Sequence, residues 1–125
     1  MSSFFELRIY KVFPKKMNAW IKFMEETIIP FQVSKGMVIH GSFILDSTDQ
    51  FISENGNRVM KSQPDGNTYV WIRRFKNSEQ KARLYKEVYE SNEWITNIAP
   101  KVAELIDRNA IIVHNMTASE LSIMK

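Results

Sequence analysis

Charged and aromatic side chains alternate in two short segments of the chain, and this combination could bind an anion. In "ELRIY" (6–10), Glu6 and Arg8 share a strand face with Tyr10, because side chains two residues apart on a strand point to the same side. In "YVWIRRF" (69–75), the same spacing groups Arg73 with three aromatic residues, Tyr69, Trp71 and Phe75. Two guanidinium groups and one carboxylate leave a positive surplus, which suits a carboxylate or phenolate ligand between aromatic walls.

The same residues also have a purely structural interpretation. A Glu–Arg pair on neighbouring strands is an ordinary cross-strand contact, and a charge that becomes buried requires a partner. Aromatic residues beneath helices usually belong to the core. From the residues alone the structural interpretation is the simpler one, and the ligand-binding interpretation stays open beside it.

Other kinds of functional site find little support in the sequence. The chain has no cysteine, and His40 and His114 lack metal-ligand spacing, so we expect neither a metal site nor a cofactor. The net charge of +3 is scattered along the chain, which argues against a nucleic-acid partner. No apolar run is long enough to span a membrane, and the first residues do not resemble a secretory signal. A cytoplasmic location is therefore expected.

The periodicity of the sequence predicts the elements that would position these residues. Alternation of apolar and polar residues predicts four strands, over 4–13, 37–45, 67–75 and 109–117. Apolar residues at helical spacing predict a helix before the second strand and another before the fourth. The order βαββαβ predicts an α+β, ferredoxin-like fold with a four-stranded antiparallel sheet and both helices on one face. We expect residues 1–125 to form a single domain.

Turn and cap residues refine this prediction. Pro30 should kink or interrupt the first helix near Ile29, and Pro100 should kink the second helix. Asn77 and Gln80 have the spacing of a capping box. The polar segment 46–66 contains Asn-Gly at positions 55 and 56, which indicates a hairpin extension or a loop between the second and third strands.

Both faces of the predicted sheet are apolar, which indicates a partner. Antiparallel sheets with one wet face alternate apolar and polar residues, and the central strands here do not. One face carries aliphatic residues, which we assign to a homodimer interface: Leu7, Ile9, Val70 and Ile72. The other face lies under the helices and carries Glu6, Arg8, Tyr10, Trp71, Arg73 and Phe75. In the alternative to a dimer, segment 46–66 or the tail after the fourth strand folds over the aliphatic face.

Four segments together resemble the NIPSNAP family of dimeric α+β barrel proteins. These segments are "ELRIYKV" (6–12), "GSF" (41–43), "YVWIRRF" (69–75) and "RLYKEVYESNEW" (83–94), in order along nearly the whole chain. Segment 46–66 departs from the family pattern because it is longer and more polar. The resemblance implies a ferredoxin-like monomer that pairs sheet to sheet. Its recurring positions fall here on Glu6, Arg8, Tyr10, Trp71, Phe75, Arg83, Tyr89, Ser91 and Trp94.

The resemblance implies a cavity between sheet and helices but fixes no reaction. Related barrels include cofactor-independent monooxygenases of phenolic substrates and haem-dependent enzymes. The haem enzymes use an axial histidine from the helical layer, and the second helix here has none. We therefore expect a small aromatic or carboxylate ligand, with monooxygenase-like chemistry as the enzymatic version and a non-catalytic dimeric interaction module as the alternative. The expected ligand-binding residues are Glu6, Arg8, Tyr10, Trp71, Arg73, Phe75, Arg83 and Tyr89.

Overall fold

The computed structural model describes residues 3–45, 51–60 and 66–125. The elements in chain order are β1 (Phe4–Lys11), α1 (Met17–Phe23), a first π-helical turn (Met24–Ile28), α2 (Ile29–Ser34), β2 (Val38–Ile44), β3 (Phe51–Glu54), β4 (Asn57–Met60), β5 (Thr68–Phe75), α3 (Ser78–Tyr89), a second π-helical turn (Trp94–Ile98), α4 (Ala99–Leu105), a 3₁₀ turn (Arg108–Ala110) and β6 (Ile112–Met116). None of the helices within these ranges is both long enough and apolar enough to cross a membrane.

The main sheet has four antiparallel strands in the order β2-β5-β1-β6. This order confirms the predicted ferredoxin-like fold, with the first and third predicted strands (β1 and β5) at the centre. The register pairs Glu6 with Arg73 and Arg8 with Trp71. Directly paired residues point to the same side of a sheet, so the charged residues of the two strands lie on one surface.

Each crossover helix contains a π-helical turn directly before its proline. The first helix does not stop at the irregularity predicted near Ile29. Pro30 lies in the first turn of α2, and the backbone N–H of Ile29 bonds to the carbonyl of Met24. Pro100 sits in the same position of α4, after a turn in which the N–H of Ala99 bonds to the carbonyl of Trp94. A proline ring collides with the carbonyl four residues earlier. One wider turn relieves that collision without ending the helix.

The helix ends follow the predicted cap residues with one difference. The Asn77 side chain accepts a hydrogen bond from the Gln80 backbone N–H at 2.8 Å, as a cap should. The Gln80 side chain accepts from the N–H of Lys76 at 2.6 Å, whereas a capping box would use the N–H of Asn77. Ser91 caps the continuation of the second crossover by accepting from the Trp94 N–H at 3.1 Å.

The predicted hairpin is present as the two-stranded sheet of β3 and β4. Its turn residues, Asn55 with φ 52° and Gly56 with φ 79°, both adopt the positive φ that a type I′ turn requires. Residues 46–50 and 61–65 of the predicted insertion lie outside the described part of the chain.

The two faces of the main sheet differ in the way the sequence predicts. The helices cover the face of Glu6, Trp71 and Arg73, which are at most 2% exposed. The other face, called the open face from here on, has half-buried aliphatic residues at its centre and exposed apolar residues towards its edges: Leu7, Ile9, Val70, Ile72, Val38, Phe43 and Ile112. The last residues of the chain cover one corner of it, where Arg74 Nε donates to the carbonyl of Lys125 at 2.8 Å. The rest of the open face is uncovered by the described residues.

Candidate functional site

Arg73 is fully buried and completely engaged by protein groups. Its Nη2 and Nε donate to Oε1 of Glu6 at 2.6 and 3.0 Å. Its Nη1 donates to Gln32 at 2.8 Å and to the Tyr89 hydroxyl at 2.7 Å, and Nη2 also reaches the Tyr85 hydroxyl at 3.0 Å. These partners bond each nitrogen of the guanidinium group, so Arg73 acts as the centre of a structural network.

Glu6 is the anion at the centre of the same network. Lys81 Nζ approaches Oε2 at 2.8 Å, and the Tyr85 hydroxyl donates a short hydrogen bond to the same oxygen. Burial alone would raise the pKa of Glu6, but the charge of Arg73 and the hydrogen bonds outweigh it and lower the pKa to about 2. Glu6 is therefore a fixed negative charge at neutral pH and a poor proton acceptor.

Arg8 stands beside this network and is only partly engaged. Its Nε donates to the Tyr10 hydroxyl at 2.8 Å, and its Nη1 donates to Tyr85 at 3.0 Å and to Glu6 at 3.4 Å. Its Nη2 has no hydrogen-bond acceptor among the described residues. Burial opposes the charge of Arg8, but the neighbouring tyrosine oxygens and Glu6 outweigh it and raise the pKa further. Arg8 thus presents a permanent charge with free donors.

A cleft of about 130 Å³ opens beside Arg8, between the sheet and the helices. Its walls are mostly aromatic and aliphatic, and the residues that line it are Arg8, Tyr10, Trp20, Met24, Ile28, Trp71, Tyr89, Trp94, Ala99, Val102, Ile106, Arg108 and Ile111. Both π-helical turns contribute to the wall, the first through Met24 and Ile28 and the second through Trp94. Such turns are frequent at functional sites.

Aromatic rings of the sheet and of α1 contact one another along the cleft. Tyr10 makes edge contacts with Trp20 and Trp71, with ring centroids 5.9 and 6.1 Å apart. Neither indole N–H of these tryptophans finds a hydrogen-bond acceptor among the described residues. Burial raises the pKa of Tyr10, and it raises that of the adjacent Tyr69 to about 12. Both phenols are therefore neutral near pH 7.

Seven of the eight predicted ligand-binding residues fall into three groups in the structure. Four of them line the cleft: Arg8, Tyr10, Trp71 and Tyr89. Glu6 and Arg73 lie behind that wall in the buried network, and Phe75 packs in a separate core cluster with Met37, Leu84 and Val88.

Arg83 is not brought to the cleft. It points away from the strands with its side chain 60% exposed, and it pairs with Glu87 at 3.3 Å. The next residue, Leu84, occupies the buried face of α3 instead.

Several cleft residues were not among the predicted site residues. Trp20, Met24 and Ile28 have the spacing of the apolar stripe of an ordinary helix, and Arg108 lies in a turn that carries no sequence signal. A sequence signal for the π-helical turns does exist, because Ile-Ile-Pro (28–30) and Ile-Ala-Pro (98–100) recur at equivalent places in the two crossovers. A prediction based on the α-helical period of 3.6 residues places these side chains wrongly, because each π-helical turn contains one extra residue.

The two histidines lie on the open face, opposite to the cleft. His40 stacks edge-on against Phe5, with ring centroids 5.3 Å apart, and His114 pairs with Leu7 in the sheet register. Across residues 3–45, 51–60 and 66–125, no group of three or more His, Asp or Glu side chains could hold a metal ion.

Comparison with solved structures identifies the same fold in NIPSNAP family proteins. A NIPSNAP family protein with unknown function from Agrobacterium tumefaciens aligns with a TM-score of 0.76 at 21% identity, over 99% of this chain and 95% of that one. An uncharacterized NIPSNAP-like domain protein from Burkholderia xenovorans aligns with a TM-score of 0.74 at 18% identity, over 96% and 88% of the two chains. The structural neighbours confirm the resemblance and the α+β barrel fold.

A more distant neighbour has a named activity. SnoaB, a cofactor-independent oxygenase from Streptomyces nogalater, aligns with a TM-score of 0.58 at 10% identity over 100% of both chains. No protein-family model and no curated protein sequence gives a significant match to this chain.

Proposed function

We propose that this NIPSNAP-like protein binds a small aromatic carboxylate in the cleft between sheet and helices. The observation that carries the proposal is the guanidinium group of Arg8, which keeps free donors at Nη2 and lines an aromatic cleft. A permanently charged donor inside apolar walls matches a ligand with an anionic head and a flat apolar body.

The size of the cleft supports a ligand with a single ring. Its volume of about 130 Å³ is close to that of the ~150 Å³ apolar cavity that takes up benzene. Trp71 and Trp94 supply flat surfaces for such a ring. The ring would lie between the two tryptophans with its carboxylate towards Arg8.

The acid–base chemistry of the cleft favours a carboxylate over a phenol. A carboxylate is already ionised at neutral pH, whereas a phenol would first have to lose a proton. Of the described groups near Arg8, Glu6 has its pKa lowered to about 2, and the pKa of the Tyr10 phenol is raised. Neither group is suited to remove that proton. The geometry of the cleft therefore favours the binding of a ligand that is already ionised. The oxygenase activity named for SnoaB gives weaker support to a monooxygenase-like reaction here.

One observation favours the alternative function of a non-catalytic dimeric interaction module. The Arg73–Glu6 network is closed by its own hydrogen bonds, as a purely structural cluster would be. The free donors of Arg8 separate the two hypotheses, since a structural arginine would be engaged as fully as Arg73.

We further propose that the chain forms a homodimer through the open face. Phe43 and Ile112 are 53% and 48% exposed on this face, next to the half-buried aliphatic residues of β1 and β5. A second copy of the chain would cover these residues by presenting the same surface, which is the commonest arrangement of a two-fold dimer. The resemblance to the NIPSNAP family, which implies monomers that pair sheet to sheet, supports this assembly.

A thermal-shift comparison tests the binding proposal. Benzoate should raise the melting temperature of the wild type in a concentration-dependent way, because a ligand that binds the folded state stabilises it. Phenol at the same concentration should have a much smaller effect. Arg8→Leu should lose the response to benzoate, and Arg83→Leu should keep it because Arg83 lies outside the cleft. If Arg8→Leu fails to fold, Arg8→Gln replaces it, because it also removes the charge. An unchanged response in the Arg8 variants would contradict the proposal.

A further inference from the structure

The cleft has a second arginine at its mouth. Arg108 lies in the 3₁₀ turn between α4 and β6, lines the cleft and is exposed to solvent. Arg8, by contrast, is at the inner wall with its side chain 14% exposed. The two charges therefore lie at different depths of one cavity.

Arg108 has no partner within the described part of the chain. The acidic residue beside it, Asp107, uses its carboxylate to cap the 3₁₀ turn by accepting from the Asn109 N–H at 3.0 Å. The charge of an exposed arginine is normally solvated by water, or it forms an ion pair that adds little to stability. Arg108 thus keeps its five N–H donors free for a ligand.

The cleft carries two positive charges without an acid in its lining. Of the described residues that line it, none is acidic, and the ionised ones are Arg8 and Arg108. Glu6, which pairs with Arg8 at 3.4 Å, lies behind the wall and is already shared with Arg73 and Lys81. A ligand with one carboxylate would satisfy Arg8 and leave Arg108 unpaired.

We propose that Arg108 makes the cleft selective for single-ring ligands with two anionic groups, one held at the inner wall by Arg8 and one at the mouth by Arg108. The inference rests on the proposed binding function and deepens it to a ligand class, the aromatic dicarboxylates. The ring lies between the tryptophan walls, and its two acid groups point towards Arg8 and Arg108.

Isothermal titration calorimetry with a set of ring acids measures this selectivity. The ligands are benzoate and the ortho, meta and para isomers of benzenedicarboxylate, which place the second carboxylate at three different positions. At least one dicarboxylate should bind the wild type about tenfold or more tighter than benzoate, the effect of one additional charge-assisted hydrogen bond. The isomer that binds best reports the direction from Arg8 to Arg108.

The same titrations on matched variants test whether Arg108 causes the preference for dicarboxylates over benzoate. Arg108→Gln should weaken binding of the preferred dicarboxylate by about tenfold and that of benzoate by less, because benzoate has no second carboxylate for Arg108 to bind. Arg83→Gln, which removes an exposed arginine outside the cleft, should change neither affinity.

The outcomes separate this inference from the binding proposal. If benzoate binds in an Arg8-dependent way but no dicarboxylate binds better, the binding proposal stands and the selectivity of Arg108 is wrong. The same holds if Arg108→Gln weakens benzoate and the dicarboxylates by one common factor. Absence of any Arg8-dependent binding of these acids would overturn both.

Discussion

Arg8 and Arg73 differ in function because their guanidinium groups have different surroundings. Arg73 is enclosed by Glu6, Gln32 and two tyrosine hydroxyls. Arg8 shares some of these partners but faces the cleft with part of its guanidinium group free. Both arginines lie on the helix-covered face of neighbouring strands, so the distinction comes from the side chains around each of them: Gln32 and Tyr89 accept hydrogen bonds from Arg73.

Replacing Arg73 should destabilise the protein strongly. Arg73→Leu leaves the buried carboxylate of Glu6 without its main partner, and breaking a buried ion pair in this way costs about 3–5 kcal/mol. Arg83→Leu, at an exposed position, should change the free energy of unfolding by less than about 0.5 kcal/mol. Urea denaturation measures both. A loss below about 1 kcal/mol for Arg73→Leu would contradict the buried network.

The network also predicts how stability depends on pH. The pKa of Glu6 is about 2 in the folded protein, below its ordinary value of 4.5, so its stabilising contribution is complete above pH 4.5 and is lost as the pH falls towards 2. The contribution amounts to about 3 kcal/mol. Urea denaturation at pH 7, 4.5 and 3 should therefore show a steeper loss for the wild type than for Glu6→Gln, which cannot titrate at this position. Parallel curves for the two proteins would contradict the assignment.

At the scale of the elements, short-range signals decide where each helix begins. The first turn of α3 depends on the Asn77 side chain, which accepts from the Gln80 N–H. The π-helical turns before Pro30 and Pro100 arise from the same kind of local chemistry, a proline that excludes a regular turn. Because these turns place Met24 and Trp94 in the cleft wall, local backbone chemistry shapes the cavity.

Removal of the cap should have a measurable effect. Asn77→Ala leaves N–H groups at the start of α3 without an acceptor and should lower the free energy of unfolding by about 1 kcal/mol. Asn97→Ala is the matched control, because that side chain makes an exposed hydrogen bond with Glu93 at 2.9 Å. Chemical denaturation of the two variants compares the positions directly. Equal losses would mean that Asn77 does not act as a cap.

At the scale of the whole molecule, the open face makes a prediction about assembly. Phe43→Glu adds a charge to a side chain that is 53% exposed in one copy, so the monomer fold should tolerate it while the homodimer should dissociate. Ile95→Glu is the control, since Ile95 is 58% exposed on the helical layer. Sedimentation velocity at micromolar concentration should show a dimer for the wild type and Ile95→Glu and a monomer for Phe43→Glu. A monomeric wild type would contradict the proposal.

The sequence predicted the two faces of the sheet because the face of each side chain depends on a period of two residues along its strand. Leu7 and Arg8 had to lie on opposite faces, whatever the details of packing. The site was predicted only in part, because the engagement of Arg73 and the position of Arg108 depend on contacts between residues far apart in the chain. Arg83 illustrates the same limit, because neighbouring residues on a helix point in different directions: Arg83 is exposed and Leu84 is buried.

The distribution of tryptophan has a practical consequence for work with this protein. The chain contains three tryptophans, Trp20, Trp71 and Trp94. All of them line the cleft. The intrinsic fluorescence of the unlabelled protein therefore originates almost entirely from this one cavity. A molecule that enters it will change the emission intensity or wavelength, which gives an optical readout of occupancy without an attached dye.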